Sequence, residues 1–298
     1  MSEIQNLIKD YLDYLEIEKN RSPLTRKNYW MSLQKFLEIS RVKKLEDITE
    51  NVVREFRIKL ASPEAKAKKI TQAHHIIVLR NFLKYLIKRD FKVLSPDKIE
   101  LPKIPTRQIQ VIGSDDLQRL LDSPRGNTLK ALRDKAILET LFSTGLRVSE
   151  LCALDRYINL ERGEISVRGK GDKIRVVFLS DGAKKAIKDY LAKRVDADTA
   201  MFVSLTKSNN PKVIGRIIPR TIQRTISFYA RAAGIPNHVS PHTLRHLFAT
   251  DLLINGADIR SVQEMLGHSN IQTTQIYTHI TNKELREVHE TFHARRRK

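Results

Sequence analysis

The chain of 298 residues carries 54 Lys and Arg against 34 Asp and Glu, a formal net charge of +20, and 41% of its residues are hydrophobic. That apolar content suffices for two ordinary domains and excludes disorder of the whole chain, while the basic excess points to a polyanion, most often nucleic acid. No apolar run approaches the ~18 residues of a membrane span, the start MSEIQNLIKDYL is not signal-like, and the single Cys152 has no internal disulfide partner, so a soluble cytoplasmic protein without membrane contact is expected.

The first hundred residues read as helices. IQNLIKDYLDYLEIEK places Ile4, Leu7, Ile8, Tyr11, Leu12 and Leu15 at helical spacing, and RSPLTRKNYWMSLQKFLEIS opens with Ser22 as N-cap and Pro23 in the first turn. ITENVVREFRIKLA, capped by Thr49, and ITQAHHIIVLRNFLKYLIKR, with Ile76, Leu79, Phe82, Leu83 and Leu86 in a stripe, complete a four- or five-helix unit over residues 1–100. Residues 101–112 follow as a linker in a stretch containing Pro96, Pro102 and Pro105, and a second domain is expected over 113–298.

In that second domain, NTLKALRDKAILETLFSTG should form a helix ending on Gly145, and EISVR with IRVVFL, joined by GKGDK, should form an antiparallel hairpin. From about Thr221 onward the pattern is helical again. The expected fold is therefore mainly α, with a small antiparallel sheet in the C-terminal domain. The basic surplus lies in both parts: 21 basic against 14 acidic residues over 1–100, and 33 against 20 over 101–298. Both domains should therefore contact the polyanion as a clamp.

HTLRHLFATDLL is the most pointed stretch. Ser240 should cap its helix, Pro241 take the first position and Gly256 close it; Leu244, Leu247 and Phe248 share one face, and His242, Arg245 and His246 gather on the other. An anion beside the N-terminus would meet imidazole, guanidinium and backbone N–H groups together. Singly, each further feature has a plainer reading: Arg147 as an ion pair with Glu150, His268 as a capping group after Gly267, Tyr277 as core packing. Zinc is not expected, because no glutamate lies between His242 and His246 in the H-E-x-x-H manner, and GKGDK lacks the spacing of a phosphate-binding loop. Neither a metal nor another cofactor is expected.

TGLRVSEL, GKGDKIRVV, SPHTLRHLFATDLL and LGHSNIQTTQIYTH, in this order, resemble the motif set of the tyrosine recombinases, in particular the Xer group. The likeness extends over the whole chain, the helical N-terminal unit resembling that family's core DNA-binding domain. It implies a nucleophile at Tyr277, an arginine pair at Arg147 and Arg245, histidines at His242 and His268, and a hairpin lysine at Lys170. It further implies strand exchange through a covalent 3′-phosphotyrosine and a four-way junction, by a homo- or hetero-tetramer on two DNA duplexes, with a cell-division or translocase protein as candidate activator. The C-terminal stretch ITNKELREVHETFHARRRK, with Leu285, Val288 and Phe292 on one face, would dock on a neighbouring protomer. Chromosome or plasmid dimer resolution is the expected role; integration of a mobile element by the same chemistry, a non-catalytic DNA-binding relative and a metal-dependent nuclease are the alternatives.

Overall fold

The computed structural model describes residues 2–65, 67–102, 112–169, 174–208 and 211–267. The chain divides into two compact units, Met1–Arg107 and Gln108–Lys298.

The first unit is built on α1 (Glu3–Ile17), α2 (Pro23–Ser40), α3 (Glu50–Ala61) and α4 (Lys69–Ile87). Each of the first three starts where a hydroxyl accepts an otherwise unpaired N–H: Ser2 from Gln5, Ser22 from Thr25, Thr49 from Val52. α2 packs against the other three helices. The helical stripes close on one core in which Tyr11, Phe36, Phe56, Phe82 and Leu83 are buried, the Tyr11 ring lying 5.4 Å from Phe82 and 5.0 Å from Tyr85 between centroids.

The second unit contains α5 (Ser114–Leu121), α6 (Leu129–Thr144), α7 (Val148–Ala153), β1 (Glu164–Arg168), β2 (Ile174–Phe178), α8 (Asp181–Ala192), β3 (Val203–Leu205), β4 (Val213–Arg216), α9 (Pro219–Ala232), α10 (Pro241–Ile254) and α11 (Ile259–Leu266). α6 is the central helix, with α5, α8, α9, α10 and β2 packed around it, so its Ala136, Ile137, Leu138 and Leu141 are wholly buried. Polar groups on the same helix tie in its neighbours. Buried Arg133 pairs with Asp134 and donates to the Val203 carbonyl at 2.9 Å, while the Tyr229 hydroxyl donates to Asp134 at 3.2 Å.

β1 and β2 form the expected antiparallel hairpin, in register from Glu164 opposite Phe178 to Arg168 opposite Ile174. A second antiparallel pair, β3 with β4, was not expected. Its strands have three and four residues, too few to show an alternation, and its register shifts between Ser204 and Leu205. Among the described residues, no helix is long and apolar enough to cross a membrane.

Candidate active site

Three local signals place the cleft residues. α6 stops at Gly145, whose φ is +59°; a Cβ there would stand 2.3 Å from Cδ1 of Phe248, so the position is closed to other residues by conformation and by space. The chain turns back through buried Leu146 into Arg147, the N-cap residue of α7. Glu150, at the third position of that helix, accepts from the Arg147 backbone N–H at 2.8 Å and from Arg147 Nη1 at 2.9 Å. α10 begins as expected: Ser240 accepts from the Thr243 N–H and Pro241 takes the first turn, which brings His242 and Arg245 to its N-terminal end. α11 is capped by Asp258 and closed by Gly267 at φ +63°.

These elements converge on the C-terminal end of α11. The last carbonyls of a helix lack intrahelical partners and carry its negative dipole end, a natural site for cations. Three consecutive carbonyls there are each met by an arginine from a different element. Arg175 Nε of β2 donates to Met265 at 2.9 Å, Arg245 Nη2 of α10 to Leu266 at 2.6 Å, and Arg147 Nη2 to Gly267 at 3.2 Å. Arg245 Nη1 also donates to the Gly145 carbonyl at 2.6 Å, which links the end of α6 to the end of α11.

Glu150 sits between two of these guanidiniums, receiving Arg175 Nη1 and Nη2 at 3.0 and 2.7 Å in addition to Arg147. Burial pushes the Glu150 carboxyl up, but the hydrogen bonds from Arg175 and Arg147 outweigh burial and hold it below its usual range. A cleft of about 440 Å³ opens beside the network, lined by Arg147, Ser149, Gln223, His238, His242 and Arg245. His242 is exposed there, its ring 6.4 Å from that of His246 between centroids. Such a cleft offers guanidinium and imidazole groups to a tetrahedral anion, which two arginines can grip through charge-assisted hydrogen bonds.

The structure thus brings Arg147, His242 and Arg245 to one cleft. Lys170, His268 and Tyr277, most of the linker, most of the GKGDK join and the C-terminal amphipathic stretch lie outside the described residues. One expectation is corrected. Arg245 does not lie on a polar face turned away from the core; it is only 4% exposed, because α11 covers it and supplies a carbonyl partner. Sequence reasoning missed Arg175 altogether and took Glu150 only as an ion-pair partner of Arg147. The signal for Arg175 is its strand parity. Ile174, Val176 and Phe178 of β2 point outward and are exposed, while Arg175 shares the inward face with buried Val177 and keeps 11% side-chain exposure. An arginine at an inward strand position needs a buried acid, and Glu150 is that acid.

The comparisons with known proteins identify the family. Residues 110–284 match the phage integrase family, and residues 8–90 match the phage integrase N-terminal SAM-like domain. The tyrosine recombinase XerC of Myxococcus xanthus is 36% identical over 307 residues, covering 99% of this chain and 100% of that protein. The crystal structure of XerA recombinase aligns over 97% of this chain and 98% of its own at 31% identity with a TM-score of 0.53. A XerH site-specific recombinase in a post-cleavage complex with its palindromic difH substrate shares the fold, with a TM-score of 0.71 at 23% identity over 94% of this chain and 82% of that one. The chain belongs to the phage integrase family and is a site-specific recombinase of the tyrosine type, of the Xer kind.

Proposed function

We propose that this recombinase cuts and rejoins DNA strands through a covalent 3′-phosphotyrosine at Tyr277 and a Holliday junction, and that it resolves chromosome or plasmid dimers. The observation that carries the reading is the convergence of Arg147 and Arg245 on the last two carbonyls at the end of α11, with His242 beside them in one cleft. Attack on a phosphodiester adds negative charge to the non-bridging oxygens, and two preorganised guanidiniums stabilise that charge without reorganising at the moment of reaction. A tyrosine hydroxyl, with an ordinary pKa near 10, is protonated at neutral pH and needs a base. His242 takes that role, His268 hydrogen-bonds the phosphate, and Lys170 protonates the departing 5′ oxygen. The phosphotyrosyl ester keeps the energy of the broken bond, so a 5′ hydroxyl from another strand reseals it without a cofactor.

The partner is a double-stranded recombination site held by both units, closed around the duplex as a clamp. Two duplexes are bridged by a tetramer of this chain, alone or with a paralogue, and a cell-division or translocase protein activates it in the cytoplasm. Denaturing gels of the protein mixed with labelled nicked genomic DNA and a chelator test the chemistry. The wild-type chain should yield a covalent band, and Tyr277→Phe should bind DNA but yield none. A band that survives in Tyr277→Phe, or one that needs added metal, overturns the assignment.

A further inference from the structure

We infer that Arg175 is a positioning residue that balances the charge of Glu150 and locks the end of α11 against Arg147, so that Arg147 keeps its full positive charge for the phosphate. The inference rests on the proposed strand-cleavage reading.

The bonding pattern carries it. Glu150 is a single buried carboxylate facing two guanidiniums. If Arg147 were its only partner, the pair would be neutral, and a neutralised guanidinium attracts a phosphate poorly. Arg175 binds both carboxylate oxygens in the two-point geometry that guanidinium and carboxylate favour, so the trio retains one positive charge. Arg175 itself is absent from the residues that line the cleft. The surplus charge is therefore presented through Arg147, whose side chain is 30% exposed.

The third Arg175 donor, Nε, goes to the Met265 carbonyl, and its side chain passes under Gly267, where a Cβ would stand 3.0 Å from Arg175 Cδ. One side chain thereby joins three elements that lead to expected catalytic groups. Arg147 is the N-cap of α7, β2 follows in sequence the join that carries Lys170, and His268 follows Gly267, the C-cap of α11, in sequence. Preorganised catalytic geometry depends on such supporting contacts.

The test is a double-mutant cycle at Arg175 and Glu150, in full-length chain, on duplex DNA recovered by covalent capture on the wild-type protein. Single-turnover cleavage and DNA affinity are both measured. Arg175→Gln should slow adduct formation by about 10- to 100-fold, the range for lost supporting contacts around a reactive centre, while the Kd for DNA changes far less. Arg175→Lys, which keeps the charge without the fork, should recover part of the rate. In a Glu150→Gln background the added loss from Arg175→Gln should shrink to about threefold or less, because there is no carboxylate left to balance. An equal loss in both Glu150 backgrounds, an Arg175→Lys chain no faster than Arg175→Gln, or an undiminished rate in Arg175→Gln overturns the inference alone. Should Arg175→Gln fail to fold, the comparison between the two backgrounds passes to Arg175→Lys. A wild-type chain that forms no adduct instead overturns the cleavage reading beneath it.

Discussion

At the scale of single residues, Gly145 and Glu150 hold the two arginines that line the cleft, Gly145 accepting from Arg245 and Glu150 from Arg147. Gly145 has a left-handed backbone and its hydrogen faces the Phe248 ring, so a methyl group there meets both strain and overlap. Gly145→Ala should lower the unfolding free energy by about 2 kcal/mol or more in urea titration, combining left-handed strain with overpacking. Pairing it with Phe248→Ala should remove the overlap part of that loss and leave the backbone part. Glu150 bears on pH. Its folded carboxyl is held below the usual value of 4.5, so the charged form is favoured by folding. The stability it contributes is present above about pH 4.5 and is lost as the pH falls through the lower folded value. Melting temperatures taken between pH 7 and pH 3 should show Glu150→Gln starting lower than wild type but losing less on acidification.

At the scale of elements, the ends of helices decide more than their middles. Gly145 caps the end of α6, Arg147 the start of α7, Ser240 the start of α10 and Gly267 the end of α11, and the cleft lies beside these caps. Helix ends expose unpaired carbonyls, and the three arginines at the end of α11 satisfy one carbonyl each. The β1–β2 hairpin joins this assembly through Arg175. A general acid on that turn should matter most when the leaving group is poor. Lys170→Ala should slow cleavage of ordinary DNA by ~100-fold, the usual scale of such catalysis, and most of the loss should vanish with a 5′-thio leaving group, which departs without protonation. Equal defects on both substrates would remove Lys170 from the role.

At the scale of the whole molecule, charge is the informative quantity. The surplus is 7 over residues 1–100, from 21 basic and 14 acidic side chains, and 13 over residues 101–298, from 33 and 20. If both units neutralise phosphates, affinity for duplex DNA should fall steeply and linearly on a plot of log affinity against log salt, with a shallower slope for a fragment of residues 101–298. Footprints of the fragment and the full chain with equal protection would show that the N-terminal unit does not grip DNA. The proline-containing stretch is not all linker: Pro96 is buried in a 3-10 turn, Pro96–Lys98, that packs on α4 within the first unit.

What the sequence by itself determined was local or patterned. The helical stripes, the caps at Ser22, Thr49 and Ser240, the stop at Gly145 and the β1–β2 hairpin are written in neighbouring residues, because a cap or a turn finds its partner within a few positions. The motif order also named Arg147, His242 and Arg245, which the fold places at one cleft. The tertiary structure alone decided what those groups touch. Arg245 has a polar side chain on a helix whose pattern assigns it to the surface, yet α11 covers it, and each of its two terminal nitrogens donates to a carbonyl from a different distant segment, Gly145 at the end of α6 and Leu266 at the end of α11. Arg175 and Glu150 carry no sign of each other in sequence, being 25 positions apart, and become one unit when the Arg175 side chain of β2 reaches Glu150 of α7. The β3–β4 pair is likewise too short to declare itself and exists because its partner strand is present. Periodicity reports which side of an element faces inward; it does not report which buried acid or carbonyl waits there, since that depends on contacts between segments that only packing brings into range.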